Sequence, residues 1–180
     1  MRPRPYAPPW APPPNDWRSA SLQARYSPDV RRRAQVACSQ IEGISDRPQD
    51  DIFQRLLGVA EIDEGEALLY GLLAERPLYL LASGDKRAMV ALSGEPIVAD
   101  IRQAVAGRVI CLESILRRMV LRDGVSKVAQ QFRCVRDSHQ SLRVILSDAS
   151  SGDQDQCIKA LDSYLRDLTR GVGQDFLYEM

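Results

Sequence analysis

The residues best suited to chemistry in this chain are acids. IDEGEALLYG at 62–71 sets Asp63, Glu64 and Glu66 at the head of an apolar run, and LASGDKRA at 81–88 sets Asp85 just after a second one. Helix capping is one reading. Asp63 is a good N-cap, Glu66 stands three residues on, where a capping-box partner belongs, and Glu64 in the first turn complements the helix dipole. Asp85 would likewise cap a helix starting at Lys86. Half of a metal site is the other reading. A hard divalent cation such as Mg²⁺ takes oxygen ligands, commonly one or two carboxylates with waters and a substrate phosphate. Those carboxylates must converge from different elements, as an acid at a helix head and another past an adjacent strand would do. Such a cation polarises a phosphate and lowers the pKa of a bound water. The local pattern is satisfied by capping alone.

The surrounding elements must place these acids. QDDIFQRLL at 49–57 reads as a short helix stopped by Gly58. The helix behind Asp63 is apolar on several faces, which predicts deep burial. Pro77 breaks it, and LYLLA at 78–82 reads as a short buried strand. DKRAMVAL opens a further helix ended by Gly94, RVICL at 108–112 reads as a second strand, and ESILRRMVLRDG follows as a helix. Helix and strand alternating in this way predict a parallel sheet covered by helices. In such sheets, sites form beyond the carboxyl ends of the strands, which is where Asp85 falls.

The rest of the chain frames this body. Half of the first fourteen residues are proline, so 1–20 should be a disordered tail, with Trp10 and Trp17 free to dock. Ser27, Pro28 and Asp29 open a helix along which Val30, Ala34, Ala37 and Ile41 form a narrow stripe, ended by Gly43; Arg31–Arg33 lie largely off it. Beyond Gly124, the residues Val125, Val128, Phe132, Val135, His139, Leu142 and Leu146 alternate spacings of three and four. The loop SDASSGDQ and a helix bearing Ile158, Leu161, Leu165 and Leu168 complete a helical hairpin. His139 is a seam residue in this reading rather than a catalytic one.

Composition excludes several classes. Lys plus Arg equals Asp plus Glu at 24 each among 180 residues, which argues against a generic polyanion binder while leaving room for a local basic groove. Cys38, Cys111, Cys134 and Cys157 form no CxxC pair, and His139 is the sole histidine, so a Cys/His zinc site is disfavoured. No secretory signal and no membrane-length apolar run is present, so reduced thiols in the cytoplasm are expected. The glycines sit at helix ends, not in a phosphate loop, which excludes a nucleotide cofactor.

The stretch VAEIDEGEALLYGLLAERPLYLLASGDKRAMVAL resembles the second half of a PIN domain. In that family an acidic Gly-Glu-Ala motif opens a buried helix, a short strand follows, an Asp sits just after it, and a Lys-Arg-Ala-type sequence begins the next helix. RVICLESILRRMVLRDGV resembles the family's closing strand and helix, so the likeness spans roughly residues 55–125. It implies a three-layer α/β/α fold with a short parallel sheet and a metal-dependent ribonuclease, in many members the toxin of a toxin–antitoxin pair. It further implies Glu66 and Asp85 as catalytic metal ligands for Mg²⁺ or Mn²⁺, with Asp63 assisting and Lys86 and Arg87 on the substrate phosphate.

The likeness is incomplete at the N-terminus. The first 60 residues hold no apolar strand ending in Asp, which in the family supplies a central ligand, and Glu42 is a poor counterpart for the second acid. The expected architecture is therefore a tail at 1–20, a partial PIN-like α/β domain at 21–124 and a helical hairpin at 125–180. Two functions follow from different classes. The first is an RNA-hydrolysing enzyme. The second is a truncated or degenerate, non-catalytic module that binds an antitoxin or a second copy through the hairpin.

Overall fold

The structure is a computed structural model that describes residues 23, 26–40, 46–133, 140–146 and 153–179. Along the chain the helices are α1 (Pro28–Gln40), α2 (Asp50–Leu57), α3 (Glu64–Glu75), α4 (Lys86–Gly94), α5 (Ala99–Val105), α6 (Leu112–Asp123), α7 (Val125–Phe132), α8 (Gln140–Ile145) and α9 (Gln154–Val172), with strands β1 (Leu81–Ser83) and β2 (Val109–Cys111). The fold is α/β with helix predominating. The chain divides into two compact units, 1–45 with 124–157 and 46–123 with 158–180.

In the second unit β1 and β2 pair in parallel, Leu81 with Val109 and Ser83 with Cys111. The crossover between them is α4, a 3₁₀ turn at Pro96–Val98 and α5. On the other side of β2 the C-terminal segment runs alongside: Leu177 bridges Val109 in parallel, and the Tyr178 N–H donates to Val109 O at 2.8 Å. Only Leu81 and Ala82 of the expected 78–82 strand pair, and the ladder ends one residue later at Ser83. Pro77 has no N–H to give a ladder, and the Tyr79 N–H donates to Arg76 O, holding 76–79 in a turn. Leu78, Tyr79 and Leu80 are consequently exposed rather than buried.

The core gathers Leu56, Ala67, Tyr70 and Leu73 with Met89, Leu92, Ile101 and Val105, closed by Val109, Leu168, Val172 and Phe176. The apolar residues of α3 fall on several faces because α2, α5 and β1 all pack on it. Close approach is built in at Gly71, where a Cβ would lie 2.7 Å from Pro48 Cβ. Arg55 ties α2 to the crossover through Ile97 O and Asp100. Arg102 similarly ties α5 to Asp175, at 2.8 Å.

The chain does divide at 124, as the sequence suggests, but the segments on either side are grouped differently from the expected 21–124 and 125–180. Residues from Ile158 onward belong with the α/β body, because Leu168, Val172 and Phe176 complete its core. Of the expected heptad segment, the described residues are α7, which ends at Phe132, and α8, which begins at Gln140; Val135 and His139 lie outside the described residues. Within the first unit Val125, Val128, Leu142 and Leu146 are buried in a single chain. Leu142→Asp would therefore place a charge at a buried position and perturb folding as well as any contact made there. In α1, Ser27 Oγ accepts from the Val30 N–H as its cap, but Ala37 on the expected stripe is exposed. Trp10, Trp17 and the proline-rich tail lie outside the described residues. Among the described residues no helix is long and apolar enough to cross a membrane.

Phe176 is 0% exposed, and truncating a buried aromatic costs about 3–5 kcal/mol. Phe176→Ala should lower the urea midpoint of the body accordingly. An unchanged midpoint would detach the C-terminal segment from this core.

Candidate functional site

Asp63 and Glu66 form a complete capping box. Asp63 Oδ1 accepts from the Glu66 N–H at 2.9 Å, and Glu66 Oε2 accepts from the Asp63 N–H at 3.0 Å. Asp85 caps α4 in the same way, its Oδ1 accepting from the N–H groups of Arg87 at 2.9 Å and Ala88 at 3.2 Å. Its own N–H donates to Ser83 Oγ at 3.1 Å, which fixes the exit from β1. The capping reading of the sequence is therefore correct for both motifs.

The two caps also meet. The Glu66 and Asp85 side chains line the same open depression, and the Glu66 pKa is raised above the ordinary 4.5. Burial is the main cause. The negative charges of Asp85 and Asp63 and the bond to Asp85 push the same way, while the Asp63 N–H opposes them. The depression is lined by Glu61, Ile62, Asp63, Glu66, Asp85 and Arg87.

Arg87 stands on the rim at 76% exposure, 3.6 Å from Asp85 Oδ2 and 3.4 Å from Glu61 Oε2. Lys86 is placed differently from its expected role on a phosphate. Its ammonium lies 2.9 Å from Glu113 Oε1 and 4.5 Å from the centroid of the Tyr164 ring. Both contacts hold it inside the body.

Three residues of this region escaped the sequence reading. Tyr70 follows Glu66 by one helical turn, a spacing that places both on one face of α3. Its hydroxyl is buried without a hydrogen-bond partner, while the nearby Ser83 acts to lower its pKa. Burial first, then the charges of Glu66 and Asp85, push the phenol well above its ordinary range. Glu61 carries a positive φ of 67°, an uncommon conformation for a non-glycine residue, and no local signal announces it. Glu113 is 2% exposed and its Oε2 has no partner. It follows Cys111 by two residues, as Asp85 follows Ser83. The strand-end argument applied to the second strand would have found it.

A metal ion fits these residues only in part. The non-capping oxygens of Glu66 and Asp85, the latter ion-paired with Arg87 at 3.6 Å, are a two-carboxylate set of the kind Mg²⁺ accepts when waters and phosphate complete its shell. Asp63 has one oxygen engaged by the helix. Among the described residues no group of three Asp, Glu, His or Cys side chains converges to hold a cation, so neither a full protein cage nor a two-metal centre is present there. The thiols offer nothing further: Cys111 and Cys157 are free and buried, and burial pushes the Cys157 thiol up.

The raised Glu66 pKa fixes a pH dependence. The folded state favours its protonated form, so that stabilisation is complete below the ordinary 4.5 and is lost as pH climbs through the raised value. Glu66→Gln keeps an acceptor for the capping box and stays neutral, so its stability relative to wild type should rise between acid and neutral pH. Parallel urea midpoints across that range would contradict a Glu66 carboxyl whose proton affinity is raised by the fold. No protein-family model, no curated protein and no solved structure matches the chain.

Proposed function

We propose that the chain is a metal-dependent phosphodiester hydrolase of PIN type acting on RNA, with Glu66 and Asp85 as its metal ligands. One observation carries this reading. Two carboxylates from different elements, the head of α3 and the exit of β1, line the same open depression. Capping alone does not require them to meet, and holding them together raises the proton affinity of Glu66.

The resemblance of IDEGEALLYG and LASGDKRA to the PIN pattern supports the same assignment. The α/β body with its short parallel sheet is compatible with a three-layer PIN-like fold. Among the described residues no strand lies on the outer side of β1, which fits a body lacking the family's opening strand.

When bound, Mg²⁺ or Mn²⁺ supplies the charge that polarises a phosphate and acidifies a water. The chain's own residues do the rest. Asp85, fixed by the N–H groups of α4 and by Ser83, presents Oδ2 to the depression. Glu66 must release its proton before it can ligate, so activity should rise with pH through the raised Glu66 value. Arg87, steered by Glu61, meets the phosphate from the rim. Lys86 serves differently: by engaging Glu113 it anchors the start of α4, and hence the Asp85 cap, against the start of α6.

The test is cleavage of single-stranded RNA by purified protein with Mn²⁺ or Mg²⁺. Asp85→Asn keeps a capping oxygen and should lower the rate by more than roughly 100-fold, since losing even an outer-shell metal partner costs 10–100-fold. Full activity in that variant, or none in the wild type, would retire the hydrolase reading.

A further inference from the structure

The α/β body carries a second feature that the acid pair does not use. A groove runs along α6 and the C-terminal half of α9 and is closed by the tail at Gln174–Glu179. A smaller depression continues it along α9. Together they are lined by Arg117, Arg118, Arg166 and Arg170, with Asp162 and Glu179 as the acids. In a chain of zero net charge this is a local excess of cation.

The four arginines are not equivalent. Arg117 is held by Asp162 at 2.7 Å and Arg170 by Asp167 at 3.2 Å. Arg118 and Arg166 are exposed and have no carboxylate partner among the described residues. One lies on each of the two helices that flank the groove. Its floor is apolar at Leu121 and Leu165, and Tyr178, 39% exposed, offers a ring face at one wall.

A basic groove with an exposed aromatic face is the arrangement that binds a single nucleic-acid strand. Guanidinium groups follow the phosphates, and a base stacks on the ring without regard to sequence. The lining of the groove includes Ser114, which follows Glu113 directly in the chain, and the strand register of Ser83 with Cys111 puts Glu113 and Asp85 at the same end of the sheet.

We infer that this groove binds single-stranded RNA, with Arg118 and Arg166 on phosphates and Tyr178 stacking a base. The choice of RNA rests on the hydrolase reading above. The groove itself rests on the two unpartnered arginines.

The experiment is fluorescence anisotropy of a short labelled RNA in EDTA, where nothing is cleaved. Arg118→Glu/Arg166→Glu should weaken binding by at least about tenfold. It should also flatten the salt dependence by about 1.4 in the slope of log K against log salt, as expected for two lost phosphate contacts on a single strand. Arg32→Glu/Arg33→Glu is the charge-matched control, since these two are also exposed, at 71% and 68%; it should bind nearly as wild type does. Equal weakening in both variants, unchanged affinity in the groove variant, or no RNA binding by the wild type would overturn the inference. So would preference for a polyglutamate peptide over RNA, which would assign the groove to an acidic protein segment. Intact RNA binding without metal-dependent cleavage would retire the hydrolase and leave the groove standing. Cleavage that persists with undiminished affinity in the groove variant would do the reverse.

Discussion

A carboxylate that caps a helix commits one oxygen to backbone N–H groups and leaves the other free. That division governs the acidic end of this molecule. Asp85 gives Oδ1 to the first turn of α4, and Glu66 gives Oε2 to the backbone at Asp63. Each cap is worth about 0.5–2 kcal/mol to its helix, so the acids are held in place by the fold itself and need no ligand to order them. What remains is a pair of outward oxygens on two rigid elements, the preorganised arrangement a cation or a proton can exploit.

The cost of that arrangement appears in the neighbouring groups. Glu66 favours its protonated form, and the Tyr70 hydroxyl is buried against two acids without a formed hydrogen bond. Glu113 is buried with one oxygen unpartnered while the other holds Lys86. Breaking such a pair by removing one partner costs about 3–5 kcal/mol, because the remaining charge stays buried. Frustration of this kind concentrated beyond the ends of β1 and β2 is characteristic of sites rather than of scaffold.

Much of the body was legible in the chain. The caps at Asp63 and Asp85 and the helix ends at Gly58 and Gly94 follow from local chemistry, and local chemistry is what a single sequence displays. The meeting of Glu66 with Asp85 was legible only through the parallel-sheet argument and the PIN-like pattern, because it depends on how α3 and β1 pack. The strand at 78–82 was overestimated: apolar content was visible, but the turn fixed by Pro77 and Arg76 outweighed it. The C-terminal helix was misassigned because its leucines fit a hairpin seam and a body core equally well, and only Phe176 and Val172 in place decide between them. Glu113 could have been found by applying the strand-end argument to the second strand, and Tyr70 by its helical spacing from Glu66. The basic groove becomes visible only when α6, α9 and the C-terminal segment are brought together.

Titration calorimetry with Mn²⁺ tests the central claim most directly, comparing wild type with Glu66→Gln at a pH below the raised Glu66 value. The account predicts a single site per chain whose occupation releases a proton from Glu66, and a variant that binds far more weakly and releases none. Absence of Mn²⁺ binding up to millimolar concentration, or equal binding without proton release in both proteins, would mean that the paired carboxylates are caps and nothing more.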